Sequence, residues 1–228
     1  MATCYMCSAE ATSKEHVPPK CLFPEAKDLG PGVDLRKNLI TVPSCDVHNS
    51  DKSKDDEYLL FGLTLNILNN GAALTHFQTK VLRALNRNPG LLNAFAKVQQ
   101  PVIAVKADGT AINSLMVEID NKRFISALDH VAQGVYYHKY QRRLIGHCSI
   151  LPDFMLFGDA EEGVQLNEQN SLVVSIAKPV FDSRPEEGSN PEIFSYVFLE
   201  PDRNGNIAAR LRFFEGSAVY VSYIAASI

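Results

Sequence analysis

Two short half-sites near the N-terminus constrain this chain more than any other feature of the sequence. The first is Cys4-Tyr-Met-Cys7, and the second, separated from it by 37 residues, is Cys45-Asp-Val-His48. Three thiolates and one imidazole have the number and type of ligands that close a tetrahedral structural zinc site. The intervening segment must fold back for the two halves to meet, so the sequence predicts a zinc knot that ties residues 1–57 together.

The use of cysteine fits an intracellular metal site better than a disulfide framework. The 228 residues include five cysteines, and four of these lie within the first 45 residues, whereas a secreted disulfide scaffold uses an even number. The sequence has no basic, apolar leader and no run of 18 uncharged apolar residues. We therefore expect a soluble, cytoplasmic protein with no membrane partner.

Charge is distributed unevenly along the chain, although the net charge is only −4. Residues 58–147 carry 10 basic and 4 acidic side chains, and the segments on either side are net acidic. Such a basic stretch favours a surface that faces a polyanion. The sequence predicts an amphipathic helix over residues 72–85. This helix and the residues at its end would present Lys80, Arg83 and Arg87 away from the apolar side. These three residues are therefore candidates for nucleic-acid binding. An ordinary solvated helix face is the alternative interpretation.

Between and after the half-sites the sequence predicts two strands and a helix. Two prolines follow Glu15-His16 and place His16 at the end of a short first strand. The β-branched run within residues 34–43 predicts a second strand that ends at Cys45. Acidic residues at 55–57, followed by an apolar run, predict the helix.

This arrangement of two strands, a helix and paired metal ligands resembles the HNH endonucleases, also called the ββα-metal or His-Me finger family. The resemblance covers residues 4–57, about a quarter of the chain. The acid-His pair that closes the family's first strand matches Glu15-His16, and the Asn of its second strand matches Asn38. The residue after the last zinc ligand is Asn49, where the family usually has His.

The resemblance implies metal-dependent cleavage of phosphodiester bonds in DNA, and it suggests a role in bacterial or phage defence. His16 would be the general base that takes a proton from the attacking water, and Asn38 would brace the loop that carries it. Asn49 and Glu15 would bind a catalytic Mg²⁺ or Mn²⁺ ion.

Two assignments of the metal ligands stay open. In the first, Cys4, Cys7, Cys45 and His48 hold the structural zinc, with His48 where the family usually has Cys, and Asn49 serves the catalytic cation. In the second, His48 binds the catalytic cation and the zinc keeps only three protein ligands. We prefer the first because it completes four-coordination.

The whole sequence predicts an α+β protein. A zinc-stabilised, treble-clef-like ββα-metal finger over residues 1–68 is followed by a mixed helix and antiparallel-sheet domain over residues 69–228, with helices on one face of the sheet. Asn69-Asn70-Gly71 is expected to end a helix, and residues 182–191 to form a loop. Periodicity and β-branched runs predict further elements: helices over 72–85, 91–98 and 121–137, a hairpin of 102–105 with 115–119, and strands over 149–157, 172–181, 194–199, 209–214 and 218–224.

Residues 69–228 contain no recognisable catalytic constellation. Their role is left open between positioning DNA, forming a homodimer and binding a regulatory protein. The rival interpretation of the chain is a non-catalytic, zinc-stabilised module that binds nucleic acid or protein, in which His16 and Asn49 serve only the structure.

Overall fold

The computed structural model describes residues 2–50, 53–88, 90–91, 98–105, 109–158 and 160–226. Over these residues the fold is α+β, as the sequence predicts, and every sheet is antiparallel. None of the helices described is both long enough and apolar enough to cross a membrane. The helix predicted over 91–98 falls mostly outside the described residues.

The N-terminal unit contains two strands and two helices: β1 (Ser13–His16), β2 (Thr41–Ser44), α1 (Asp46–Ser50) and α2 (Ser53–Thr64). In the antiparallel pair β1–β2, His16 lies opposite Thr41. Strand β2 is shorter than predicted because residues 35–38 form a turn, in which Asn38 has the left-handed φ of 51°. The catalytic-loop candidate Asn38 therefore precedes the strand rather than lying within it.

The middle of the chain contains helices and a hairpin: α3 (Gly71–His76), a π-helical turn (Phe77–Val81), α4 (Leu82–Arg87), β3 (Val98–Val105), β4 (Ala111–Glu118) and α5 (Asn121–Tyr140). The prediction that Gly71 ends a helix is wrong. The side chain of Asn70 accepts hydrogen bonds from the backbone N–H groups of Ala72 and Ala73, so it caps the start of α3. The predicted hairpin and the helix beginning at Asn121 are present.

The C-terminal part is a five-stranded sheet with one more helix: β5 (Gly146–Pro152), α6 (Glu161–Asp182), β6 (Glu187–Asn190), β7 (Phe194–Phe198), β8 (Ile207–Phe213) and β9 (Ser217–Ala225). The strand order is β5-β9-β8-β7-β6. The loop predicted over residues 182–191 contains β6, which forms the edge of this sheet.

The strand predicted over residues 172–181 is wrong, because this segment is the second half of α6. Its β-branched residues favour a strand by propensity. Val174, Ala177 and Phe181, at spacings of three and four, nevertheless pack against the sheet as one side of a helix. They cover the face that carries Tyr220, whereas α5 covers the opposite face, so helices lie on both faces rather than one.

Helix α5 lies between the N-terminal unit and the sheet. Phe124 and Val131 in this helix are fully buried, and one core cluster extends from Cys4 to Tyr223. Gly134 allows the close approach of the chain just after β1, because a Cβ at this position would lie 2.6 Å from a methyl group of Val17. The domain boundary at residue 68 stays a prediction.

Candidate metal centre

The four residues predicted to bind zinc are brought together. The ligand atoms of Cys4, Cys7, Cys45 and His48 all lie within 4.8 Å of one another. The Cys7 and Cys45 sulfurs are 3.8 Å apart, and His48 Nδ1 lies 3.6 Å from the Cys4 sulfur and 3.2 Å from the Cys45 sulfur. A tetrahedral zinc bound at about 2.3 Å by sulfur and about 2.0 Å by nitrogen requires about 3.8 Å and about 3.5 Å for these separations. The cluster can therefore hold a structural metal such as zinc.

Backbone hydrogen bonds shape both half-sites. The first half-site turns back on itself, with Cys4 N–H donating to the carbonyl of Ala9 at 2.9 Å. The backbone N–H of Tyr5 donates to the carbonyl of Pro43 at 2.9 Å and so places this knuckle beside β2. The second half-site is the first turn of α1, where the N–H of His48 donates to the carbonyl of Cys45 at 3.1 Å.

The cluster favours a thiolate at Cys4. Burial alone would raise the pKa of this thiol, but hydrogen bonds from backbone N–H groups, first that of Met6 and then those of Cys45 and Cys7, lower the pKa below its ordinary value. The thiolate is the form that binds a metal. His48 Nδ1 faces the sulfurs, which supports the assignment in which His48 belongs to the four-ligand site.

The proposed base and its acidic neighbour occupy opposite sides of β1. Glu15 is 7% exposed and points to the interior, where burial, and next the charge of Glu15, raise the pKa of Tyr5. His16 is half-buried, and its Nδ1 is closed off from solvent. Burial, followed by the charge of Lys20, lowers the pKa of His16, and the backbone of Ile40 lies close enough to the imidazole to raise this pKa slightly. The alternation follows from the pleat of a strand.

The amide of Asn49 has a defined orientation. Its Nδ2 donates to Ser13 Oγ at 2.8 Å, and Ser13 Oγ in turn donates to the carbonyl of Ser44 at 3.2 Å. Because the single hydroxyl proton of Ser13 goes to Ser44, its oxygen acts as the acceptor for Asn49. The Oδ1 of Asn49 is therefore the atom left for a further ligand. Ser13 was not identified from the sequence, in which a serine at the start of a strand gives no signal.

Asn38 lies away from the metal cluster, at a surface cleft. The cleft has a volume of about 550 Å³, and Asn38 lines it together with Thr41, His138 and Tyr196. The loop between β1 and β2 is held by Arg36, whose Nε and Nη2 donate to the carbonyl of Phe23 at 3.0 and 2.8 Å. Sequence reasoning missed Arg36, and the bracing role of Asn38 stays a prediction.

The three candidate DNA-binding residues have different surroundings. Lys80 Nζ donates to the carbonyl of Cys21 at 3.3 Å. Arg83 makes two hydrogen bonds of 2.7 Å to the carboxylate of Asp28. Arg87 is exposed at the end of α4. Part of the positive charge is thus already neutralised within the protein, and binding of DNA by these residues stays a prediction.

One further imidazole lies beside the metal cluster. The ring of His130, on α5, is centred 6.5 Å from that of His48. His130 Nδ1 donates to the carbonyl of Ser126 at 2.8 Å, and the neighbouring Asp129 accepts from Gln133. These bonds stabilise a turn of α5 next to α1.

Comparison with known proteins gives no relative from which a function could be carried over. No protein-family model, curated protein or solved structure matches this chain.

Proposed function

We propose that this protein is a metal-dependent endonuclease of the HNH type that hydrolyses phosphodiester bonds in DNA. The observation that carries the proposal is the four-ligand cluster of Cys4, Cys7, Cys45 and His48. If His48 is a ligand of the structural metal, Asn49 and His16 remain available for catalysis on the same small unit. The resemblance of residues 4–57 to the family supplies the reaction class.

His16 is the general base in this proposal. A neutral imidazole takes the proton from a water as the water oxygen attacks the phosphorus, and the bond to the leaving oxygen breaks. One observation supports the role: burial lowers the pKa of His16, which favours the neutral form of the imidazole.

Asn49 is the better supported of the two proposed cation ligands. Its amide is oriented by Ser13 so that Oδ1 remains available. A Mg²⁺ or Mn²⁺ ion bound there would stabilise negative charge on the phosphate and the leaving oxygen. Glu15 stays in the proposal as a second ligand, although its carboxylate faces the interior beside Tyr5.

DNA is the proposed substrate and partner, with Lys80, Arg83 and Arg87 on the path of its backbone. Phosphate contacts of this kind position a duplex without reading its sequence. Defence against foreign DNA, such as antiviral defence in bacteria, is the biological role that this activity would fit.

Cleavage of supercoiled plasmid in the presence of Mg²⁺ or Mn²⁺ tests the proposal. His16→Ala should retain the fold and the structural metal but cut at least about 10²-fold more slowly, which is the typical contribution of a positioned general base. The matched control is His147→Ala, because His147 is an exposed histidine on β5, far along the chain from the metal cluster. Wild-type cutting by purified His16→Ala would refute the role of His16.

Asn49 and Ser13 provide a second, independent arm of the same assay. Asn49→Ala should need a higher cation concentration for cleavage, and raising Mg²⁺ or Mn²⁺ should restore part of the rate. Ser13→Ala should shift the cation requirement in the same direction by less, because it only releases the amide. The His16→Ala defect should not respond to added cation, since a cation cannot replace a proton acceptor.

A non-catalytic, metal-stabilised binding module is the second candidate function. The observation that favours it is that Asn49 and Glu15 both have structural surroundings, the first bonded to Ser13 and the second buried near Tyr5. A wild-type protein that binds nucleic acid or protein but cuts neither DNA nor RNA with any divalent cation would establish this function instead.

A further inference from the structure

Helix α6 carries two apolar seams, and the residues that the structure describes cover only one of them. The inner seam (Val174, Ala177 and Phe181) packs on the sheet. The outer seam lies roughly 100° further around the helix. It consists of Leu166, Gln169, Val173, Ile176 and Val180. Its four apolar members are 43%, 51%, 66% and 45% exposed in chain order.

The spacing of the outer seam selects a helix as its partner. Its residues follow one another at intervals of three, four, three and four, the repeat with which two α-helices pack knobs into holes. The seam contains no charged residue, and Leu172, 62% exposed, widens it on one edge.

The apolar surface of this seam is large for a monomer. The four apolar members of the outer seam, together with Leu172, present on the order of 500 Å² of apolar surface. This lies in the upper part of the range for the largest patch on a soluble monomer. Two such surfaces together remove about 1,000 Å², the lower limit for a specific protein interface.

We propose that the outer seam of α6 pairs with the same seam of a second copy of this chain, antiparallel about a two-fold axis near Val173. Leu166 and Val180 lie seven residues on either side of Val173, so the antiparallel alignment places Leu166 against the partner's Val180. The seam is thus complementary to itself, as an isologous interface requires. This inference is independent of the proposed nuclease activity, because His16 and the metal cluster take no part in it.

The oligomeric state of the full chain gives the first test. Sedimentation equilibrium over roughly 1 to 100 µM should show a dimer that dissociates on dilution. Ile176→Glu places a charge in the seam and should raise the dissociation constant at least about tenfold. Ser171→Glu, on an exposed polar position of the same helix, should leave it unchanged. Thermal unfolding of each variant checks that the fold is retained.

Three results of that experiment would overturn the proposal: a wild-type chain that stays monomeric over the whole range, equal weakening by Ser171→Glu and Ile176→Glu, or a folded Ile176→Glu variant that dimerises as the wild type does. His16→Ala should dimerise normally, which separates failure of this inference from failure of the nuclease proposal.

Oxidative cross-linking tests the antiparallel arrangement. Cysteines at position 173 of two copies would lie next to the axis, within the Cα separation of about 4.4 to 6.8 Å that a disulfide needs. Cysteines at position 166 would lie about 21 Å apart along the helices. Val173→Cys should therefore form a covalent dimer beyond the background of the wild-type thiols, and Leu166→Cys should not. Efficient cross-linking of Leu166→Cys, or none of Val173→Cys in a chain that dimerises, would refute this geometry.

Discussion

Replacement of Gly134 by Ala should show how tightly the end of β1 is held against α5. A Cβ at Gly134 would lie 2.6 Å and 2.7 Å from the two methyl carbons of Val17, closer than carbon atoms approach. Such overpacking costs about 1 to 3 kcal/mol. Alanine is favoured over glycine inside a helix by about 1 kcal/mol. The net effect of Gly134→Ala should thus be a loss of up to about 2 kcal/mol in the free energy of unfolding.

A double-mutant cycle with Val17→Ala isolates the contact, because Val17→Ala removes both methyl groups. Urea unfolding should show that Gly134→Ala destabilises the wild-type background but is neutral or stabilising, by up to about 1 kcal/mol, in the Val17→Ala background. Gly71→Ala is the control, since nothing lies within 4 Å of its Cβ position. Equal effects of Gly134→Ala in the two backgrounds would refute the packing argument. Because His16 precedes Val17, Gly134→Ala should also slow any cleavage that depends on His16.

Three further predictions concern metal, charge and pH. Purified protein should contain about one tightly held zinc per chain. Cys4→Ser or Cys45→Ser should unfold the N-terminal unit, since a structural zinc contributes on the order of 10 kcal/mol to folding. A folded protein without metal would contradict this prediction. Joint replacement of Lys80, Arg83 and Arg87 by Ala should weaken DNA binding alike for every sequence and reduce its dependence on salt, whereas unchanged affinity and salt slope would assign these residues to a solvated face. His76 is fully buried and its pKa is lowered to about 4, chiefly by burial. The unfolded chain therefore binds more protons than the folded protein between pH 6.5 and pH 4, and urea unfolding should show a loss of stability on the order of 2 to 3 kcal/mol as the pH falls through this window. His76→Gln should flatten that part of the profile, and an unchanged slope would count against it.

The metal ligands could be predicted from the sequence because their signal is local. A Cys-x2-Cys or Cys-x2-His pair forms its half-site within one turn of chain, and four-coordination then requires the halves to meet. The placement of His16 at the end of β1 was predictable for a similar reason, because the prolines after it stop the strand. The orientation of Asn49 was not, since it depends on Ser13, 36 residues earlier in the chain and on another element.

Helix α6 shows why a strong pattern can mislead. Apolar residues stand next to each other in the sequence at each repeat of this helix. The inner seam contains Val174, Ala177 and Phe181, and the outer seam contains Val173, Ile176 and Val180. Two adjacent seams merge into a nearly continuous apolar run, which removes the 3.6-residue period and resembles a buried strand. A helix with one covered seam would have kept that period and been recognised. The misassignment of residues 172–181 thus has the same cause as the exposed surface. The sequence of this helix provides for two neighbours, and the described part of the chain supplies one.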